Sequence, residues 1–185
     1  MRTPTVRLVH TLWAYHRDDP TEYSRALTTL TMDDDRNEVI KDIIEASYNA
    51  GRSVLVLSER VGHCEDLAEQ MTARGVPAVS LVGRLSQTER IKRIEALRSG
   101  EVRVACATQL ADEGLDICRL DTLIQATPTS SVGRLEQRVG RIMRPHPDKM
   151  QPIVYDLRDK WGPLRSGARK RDALYRKLNI KEDCA

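Results

Sequence analysis

The chain has 185 residues, of which 40% are hydrophobic and 31% charged, a balance that supports one packed domain with a solvated surface and excludes a wholly disordered polypeptide. A formal net charge of +3 is too small to identify a nucleic-acid partner, because only large or clustered excesses carry that meaning. No uninterrupted run of about 18 apolar residues occurs, so no membrane span is expected.

Cys64, Cys106, Cys118 and Cys184 stand without a CxxC pair and without histidines at metal-ligand spacing. That pattern argues against zinc and for reduced thiols in an intracellular, cytoplasmic or nucleoid-associated setting. The chain has no Phe, so Leu, Ile and Val must fill the core.

Residues 3–15 are apolar-rich and β-prone, with Val6, Leu8, Val9, Leu12, Trp13 and Tyr15, and predict an opening or edge strand before a polar stretch at 17–21. Asp33, Asp34 and Asp35 then precede a helical pattern of Val39, Ile40, Ile43, Ile44 and Tyr48 that stops at Gly51. Acids at the start and glycine at the end suit the helix dipole and its cap.

Beyond Gly51 short apolar strands alternate with amphipathic helices, the mark of an α/β domain with a parallel sheet. Strands are predicted at 53–57, 78–82, 102–107, 122–126 and 152–157. Helices are predicted through Leu67, Ala68 and Met71, over 86–97, and over 132–143. From Arg158 the tail is basic, with Lys160, Arg165, Arg169, Lys170, Arg171, Arg176, Lys177 and Lys181. It reads either as a solvated amphipathic helix or as a phosphate-contacting arm.

In open parallel sheets ligands bind outside the carboxyl ends of the strands, and two regions are expected there. Residues 107–117 combine the hydroxyl of Thr108, the permissive Gly114, and the Asp116 carboxylate, which can accept hydrogen bonds from ribose hydroxyls. Residues 137–145 carry Arg141 and Arg144 three apart, with Gln137 one turn earlier, so helical geometry sends both guanidinium groups off one face. Such a pair suits the charge of a transferring phosphoryl group. The plainer reading of each region is a polar loop, and basic residues favoured by a helix C-terminus.

In this order and on this rhythm, the two regions resemble motifs V and VI of the C-terminal RecA-like domain of superfamily 2 helicases. Residues 54–60 resemble motif IV, and Gly83, Gln87 and Arg90 are similar to the glycine, glutamine and arginine that follow the next strand. The likeness covers about 53–157. It implies a RecA-like three-layer α/β/α sandwich around a mostly parallel sheet, divided as an opening strand, linker and leading helix over 1–52, the RecA-like domain over 53–157, and a basic extension over 158–185.

The resemblance also implies roles. Arg141 and Arg144 would act as arginine fingers on ATP bound to a partner domain, Gly114 and Asp116 would face the ribose, and Gln137 would link the nucleotide to the interdomain cleft. Thr108, with Ser58 and Gly83, would touch the nucleic-acid backbone. ATP would come with Mg, held by an N-terminal RecA-like domain that this chain lacks: no Gly-x-x-x-x-Gly-Lys-Ser/Thr occurs and Asp112-Glu113 lies inside the motif V loop, so the chain alone should not hydrolyse ATP. The spelling of that loop favours DNA over RNA.

The alternatives are a non-catalytic nucleic-acid- or protein-binding module on the same fold, and a self-sufficient small-molecule enzyme on a doubly wound sheet. The latter lacks a Gly-rich fingerprint after the first strand of the rhythm.

Overall fold

Parallel strands cannot be joined by a hairpin, so each must be followed by a crossover, and the alternating pattern in the sequence is the record of that requirement. The computed structural model describes residues 3–16, 19–108 and 117–183. Its elements run β1 (Thr5–His10), a short 3₁₀ turn (Pro20–Glu22), α1 (Tyr23–Thr31), α2 (Asp34–Asn49), β2 (Val54–Leu57), α3 (Val61–Ala73) and β3 (Ala78–Leu81). Then come α4 (Gln87–Ser99), β4 (Val104–Ala107), β5 (Thr122–Gln125), α5 (Val132–Ile142), β6 (Ile153–Arg158), α6 (Gly162–Lys177) and β7 (Lys181–Glu182). The strands form one sheet in the order β3-β4-β2-β5-β6-β1-β7. Every pairing is parallel.

Alternation along the strands sorts the core into two layers. Leu55 and Leu57 face α4, α5 and α6, where they join Leu97, Leu135, Val139, Leu174 and Tyr175. Val54 and Val56 face α2 and α3, with Ile40, Ile44, Leu67 and Met71. The expected three-layer α/β/α sandwich is therefore present. β1 is an inner strand between β6 and β7 rather than an edge.

The helix boundaries follow from local chemistry. Asp33 caps α2 by accepting from the backbone N–H of Arg36, and Ser86 and Ser131 do the same for α4 and α5. Gly100 ends α4 in the left-handed region at φ 84°, a conformation that costs a glycine little. α1 has no counterpart in the sequence reading; it buries Ala26, Leu27, Leu30 and Thr31. An aromatic group holds that region, with Trp13, Ala26, Leu30, Trp161 and Leu164 in one cluster against which Tyr15 and Tyr23 pack.

Buried charge fixes the periphery. On β6, Asp156 is fully buried and accepts from Arg171 Nε at 3.0 and 2.9 Å, from Arg158 at 2.8 Å and from the Tyr175 hydroxyl at 3.0 Å. Beyond β6, Asp159 takes Arg36 in a two-point contact at 2.8 and 3.2 Å and the Thr11 hydroxyl at 2.6 Å. The first cluster pins α6 and the second pins α2. Of the basic tail, then, Arg158 and Arg171 are spent inside the fold, while Lys160, Arg165, Arg169 and Lys170 remain exposed.

His63 is buried between two layers of the same network. Asn37 donates its side-chain amide to Thr31 O at 2.9 Å, which leaves Oδ1 to accept from His63 Nε2 at 3.0 Å; Nδ1 is then the acceptor for the Ser58 hydroxyl at 2.9 Å. Burial, with the Arg36 charge nearby, pushes this imidazole down to about 4.

Two measurements test these assignments. Asp156→Asn keeps the shape but leaves the buried Arg171 without its paired carboxylate and Arg158 with Asp172 alone, and should lower the free energy of unfolding by about 3–5 kcal/mol in urea titration; a change within ±0.5 kcal/mol would refute the pinning role. For His63 the fold holds the neutral form, so its contribution is complete above about pH 6.5. It is lost as pH falls from there to about 4, where the unfolded chain binds a proton that the folded chain refuses, a swing of about 3 kcal/mol. His63→Gln should flatten the stability profile between about pH 6.5 and 5, and equal slopes in both proteins would contradict the assignment.

Candidate functional site

α5 forms because Ser131 caps it and because Leu135, Val139 and Ile142 recur on one buried face. The opposite stripe carries the predicted polar residues: Gln137 is exposed, Arg141 is half-buried and Arg144 is exposed. Arg144 lies just past the last helical residue, in a turn where its N–H donates to Arg141 O at 3.2 Å. At 100° per residue Gln137 and Arg141 share one sector of the helix, and Arg144 follows in the turn just beyond it.

Their location departs from the sequence reading, which puts both chemical regions at the carboxyl edge of the sheet. α5 starts beyond the carboxyl end of β5 and runs back, about 16 Å for its length, toward the amino ends of β5 and β6. The turn after it is tied there. Lys149 Nζ donates to Arg144 O at 2.8 Å and to Cys118 O at 3.1 Å. Met150 N–H donates to Asp121 Oδ2 at 3.4 Å, and Asp121 N–H to Ser53 O at 3.0 Å, immediately before β2. The physical reason is the return path that a parallel crossover requires.

Thr108 stands at the carboxyl end of β4, its N–H donating to Leu81 O at 3.1 Å. Gly114 and Asp116 lie outside the described residues. Ile117, buried in the core against α5, and Cys118 stand at the amino edge beside the Arg144 turn. The two regions still meet, at the opposite edge from the one expected.

The three residues predicted to touch a nucleic-acid backbone stand on neighbouring strand ends. Leu81, Ala107 and Leu57 are in register across β3, β4 and β2, so Gly83, Thr108 and Ser58 follow one another along about 10 Å of the carboxyl edge at the usual strand spacing. Gly83 is exposed in a turn. The side chains of Ser58 and Thr108 are turned inward, only 2% and 6% exposed. Ser58 Oγ accepts from Arg60 N–H at 3.2 Å while bonded to His63, and among the described residues Thr108 Oγ1 has no hydrogen-bond partner. Ser58 therefore shapes this edge through its backbone and its neighbours Glu59 and Arg60.

Sequence reasoning missed Lys149, His63 and Asn37. A lone lysine in a Pro-rich turn and a lone histidine in a helix carry no motif; only the folded chain shows them buried and bonded. Among the described residues no group of three or more His, Cys, Asp or Glu could hold a metal ion. Among the described residues, too, no helix is long and apolar enough to cross a membrane.

Comparison with known proteins agrees with this architecture. Residues 35–146 match the family described as helicase conserved C-terminal domain. The chain is 31% identical over 140 residues to the probable helicase D10 of Escherichia phage T5, covering 75% of this chain and 31% of that protein. The chain thus spans about a third of the curated relative it matches.

Among solved structures, the T4 protein UvsW superposes with a TM-score of 0.77 at 14% identity, over 97% of this chain and 40% of that one. S. cerevisiae Dbp5 (L327V) bound to RNA and ADP BeF3 gives 0.68 at 14% identity, over 97% and 41%. At such identities the superpositions speak for the fold alone. With more than half its length matched to the family model, the chain belongs to the helicase conserved C-terminal domains.

Proposed function

We propose that this domain completes a composite ATP site and supplies part of a nucleic-acid grip in an ATP-dependent helicase or translocase, with DNA as the favoured strand. The observation that carries the reading is the placement of Gln137 and Arg141 on the outward stripe of α5, with Arg144 in the turn that follows it, beside Cys118, two residues beyond Asp116. A nucleotide held by an N-terminal RecA-like domain would meet Arg141 and Arg144 from this one, with Gly114 and Asp116 toward its ribose. The similar protein Dbp5 carries both RNA and ADP BeF3, which supports a nucleotide and a strand on one such fold.

Arginine is suited to the task because its charge is permanent and its planar fork offers donors to several phosphoryl oxygens at once. In other phosphoryl-transfer enzymes such a finger contributes on the order of 10³ to 10⁵ in rate, so closure of the two domains gates turnover. The Gly83, Thr108 and Ser58 edge faces a different direction from the arginine end of α5. A strand held at that edge and a nucleotide held at α5 are thereby separated, and opening or closing of the cleft shifts one grip against the other. The magnesium that accompanies ATP would be held by the N-terminal domain, and this chain's part is to orient and to neutralise charge.

The test is ATP turnover by this chain assembled with its N-terminal RecA-like domain, with single-stranded DNA or RNA as stimulant. Arg141→Ala should lower stimulated turnover by about 10³-fold or more while circular dichroism stays unchanged. Full turnover in that variant would overturn the reading in favour of a non-catalytic module, and stimulation by RNA but not DNA would overturn the strand preference.

A further inference from the structure

The Lys149 side chain is nearly enclosed, with the residue 8% exposed, which is unusual for an ammonium group. Its hydrogen-bond acceptors include two peptide carbonyls, Arg144 O at 2.8 Å and Cys118 O at 3.1 Å. One belongs to the turn that carries a predicted arginine finger. The other lies two residues beyond Asp116, the predicted ribose contact. A single cation therefore fastens together the two chain segments that sequence reasoning separates by about 25 positions.

The surroundings make the clasp specific. Asp121 faces the ammonium, with its own carboxylate accepting from the Thr122 hydroxyl at 2.8 Å and standing 3.6 Å from Arg52. On the outer side Arg119 pairs with Asp148 at 3.3 Å, and His146 Nδ1 accepts from Asp148 N–H at 3.3 Å. Next to the clasp is a cavity of about 400 Å³ lined by Met143, Arg144, Pro145, His146, Lys149, Met150 and Pro152. The hydrogen bonds of Lys149 therefore hold the Arg144 turn beside an open concavity.

We propose that Lys149 is a positioning residue for the arginine end of α5, setting the Arg144 turn at a fixed distance from Cys118. This inference rests on the composite ATP site proposed above. The requirement is geometric: a guanidinium that acts on a transferring phosphoryl group must be in place within a fraction of an ångström, and a misplacement of about 1 Å costs on the order of 100-fold. Because the arginines act mainly on the transition state, loosening them lowers kcat and leaves substrate binding nearly unchanged. Burial pushes the Lys149 ammonium down to about 8, with Asp121 and Cys118 opposing and Arg144 reinforcing that shift, so the clasp also has a proton that can be followed.

Two experiments decide it. In the assembled two-domain protein, Lys149→Met keeps the aliphatic stem and removes the donors. Stimulated kcat should fall on the order of 10- to 100-fold with KM for ATP within about twofold, and Lys149→Arg should recover most of the loss. Wild-type kcat in Lys149→Met, in a preparation whose turnover still collapses with Arg141→Ala, overturns the positioning role and leaves the composite site standing. Turnover indifferent to Arg141→Ala overturns the site itself.

In the unmutated chain alone, the carbonyl ¹³C resonances of Arg144 and Cys118 should titrate together with a midpoint near pH 8. Absence of that shared titration overturns the clasp whether or not the variants fold.

Discussion

Parallel pairing throughout the sheet is the constraint from which the rest of this molecule follows. A strand that leaves the sheet at its carboxyl edge must have its chain carried back to the amino edge before the next can begin. For β5 the carrier is α5, and for β4 it is the segment bracketed by Thr108 and Ile117. Ile117 shares one core cluster with Leu135, Val139 and Ile142 of α5. The meeting of the Arg144 turn with Cys118 is thus a consequence of topology before it is a feature of chemistry.

Burial on both faces has a second effect. Helices laid over an apolar sheet are held by area, which is favourable but indifferent to sliding, whereas a carboxylate at a fixed strand position is directional. Three such carboxylates do this here. Asp159 holds α2 through Arg36, Asp156 holds α6 through Arg171 and Tyr175, and Asp121 holds the 143–150 turn through Met150 and the neighbouring Lys149. Each cluster carries a desolvation cost that could make it no more stabilising than well-packed apolar residues. What it gives in return is one angular setting for the element it holds, and two of these settings bear on where the arginines and the carboxyl-edge loops stand.

The legible part of the sequence is the part governed by periodicity. The inner strands read as apolar runs because both of their faces are covered, and α2 through α5 announce themselves by caps and amphipathic spacing. α1 was illegible for a physical reason: its run Tyr23–Thr31 is rich in threonine, whose helix propensity is low, and the helix exists because Trp13 and Trp161 roof it from distant positions. The basic tail misled in a similar way. Charge count alone cannot distinguish Arg171, enclosed against Asp156, from Arg169, which faces water. The grouping of Gln137, Arg141 and Arg144 followed from the 3.6-residue period, but the edge of the sheet at which they stand needed the length and direction of α5.

The separation of the two edges bears on how such a domain can couple its contacts. β4 is four residues long, about 13 Å at the usual rise, so Thr108 at its carboxyl end and Cys118 near the amino edge are set apart by roughly the thickness of the sheet. On the function proposed above, a strand held at Gly83, Thr108 and Ser58 and a nucleotide met by the Arg144 turn would lie at opposite edges of the sheet. The Lys149 hydrogen bonds tie the Arg144 turn to Cys118, so the turn follows the amino edge when the sheet moves as a rigid body.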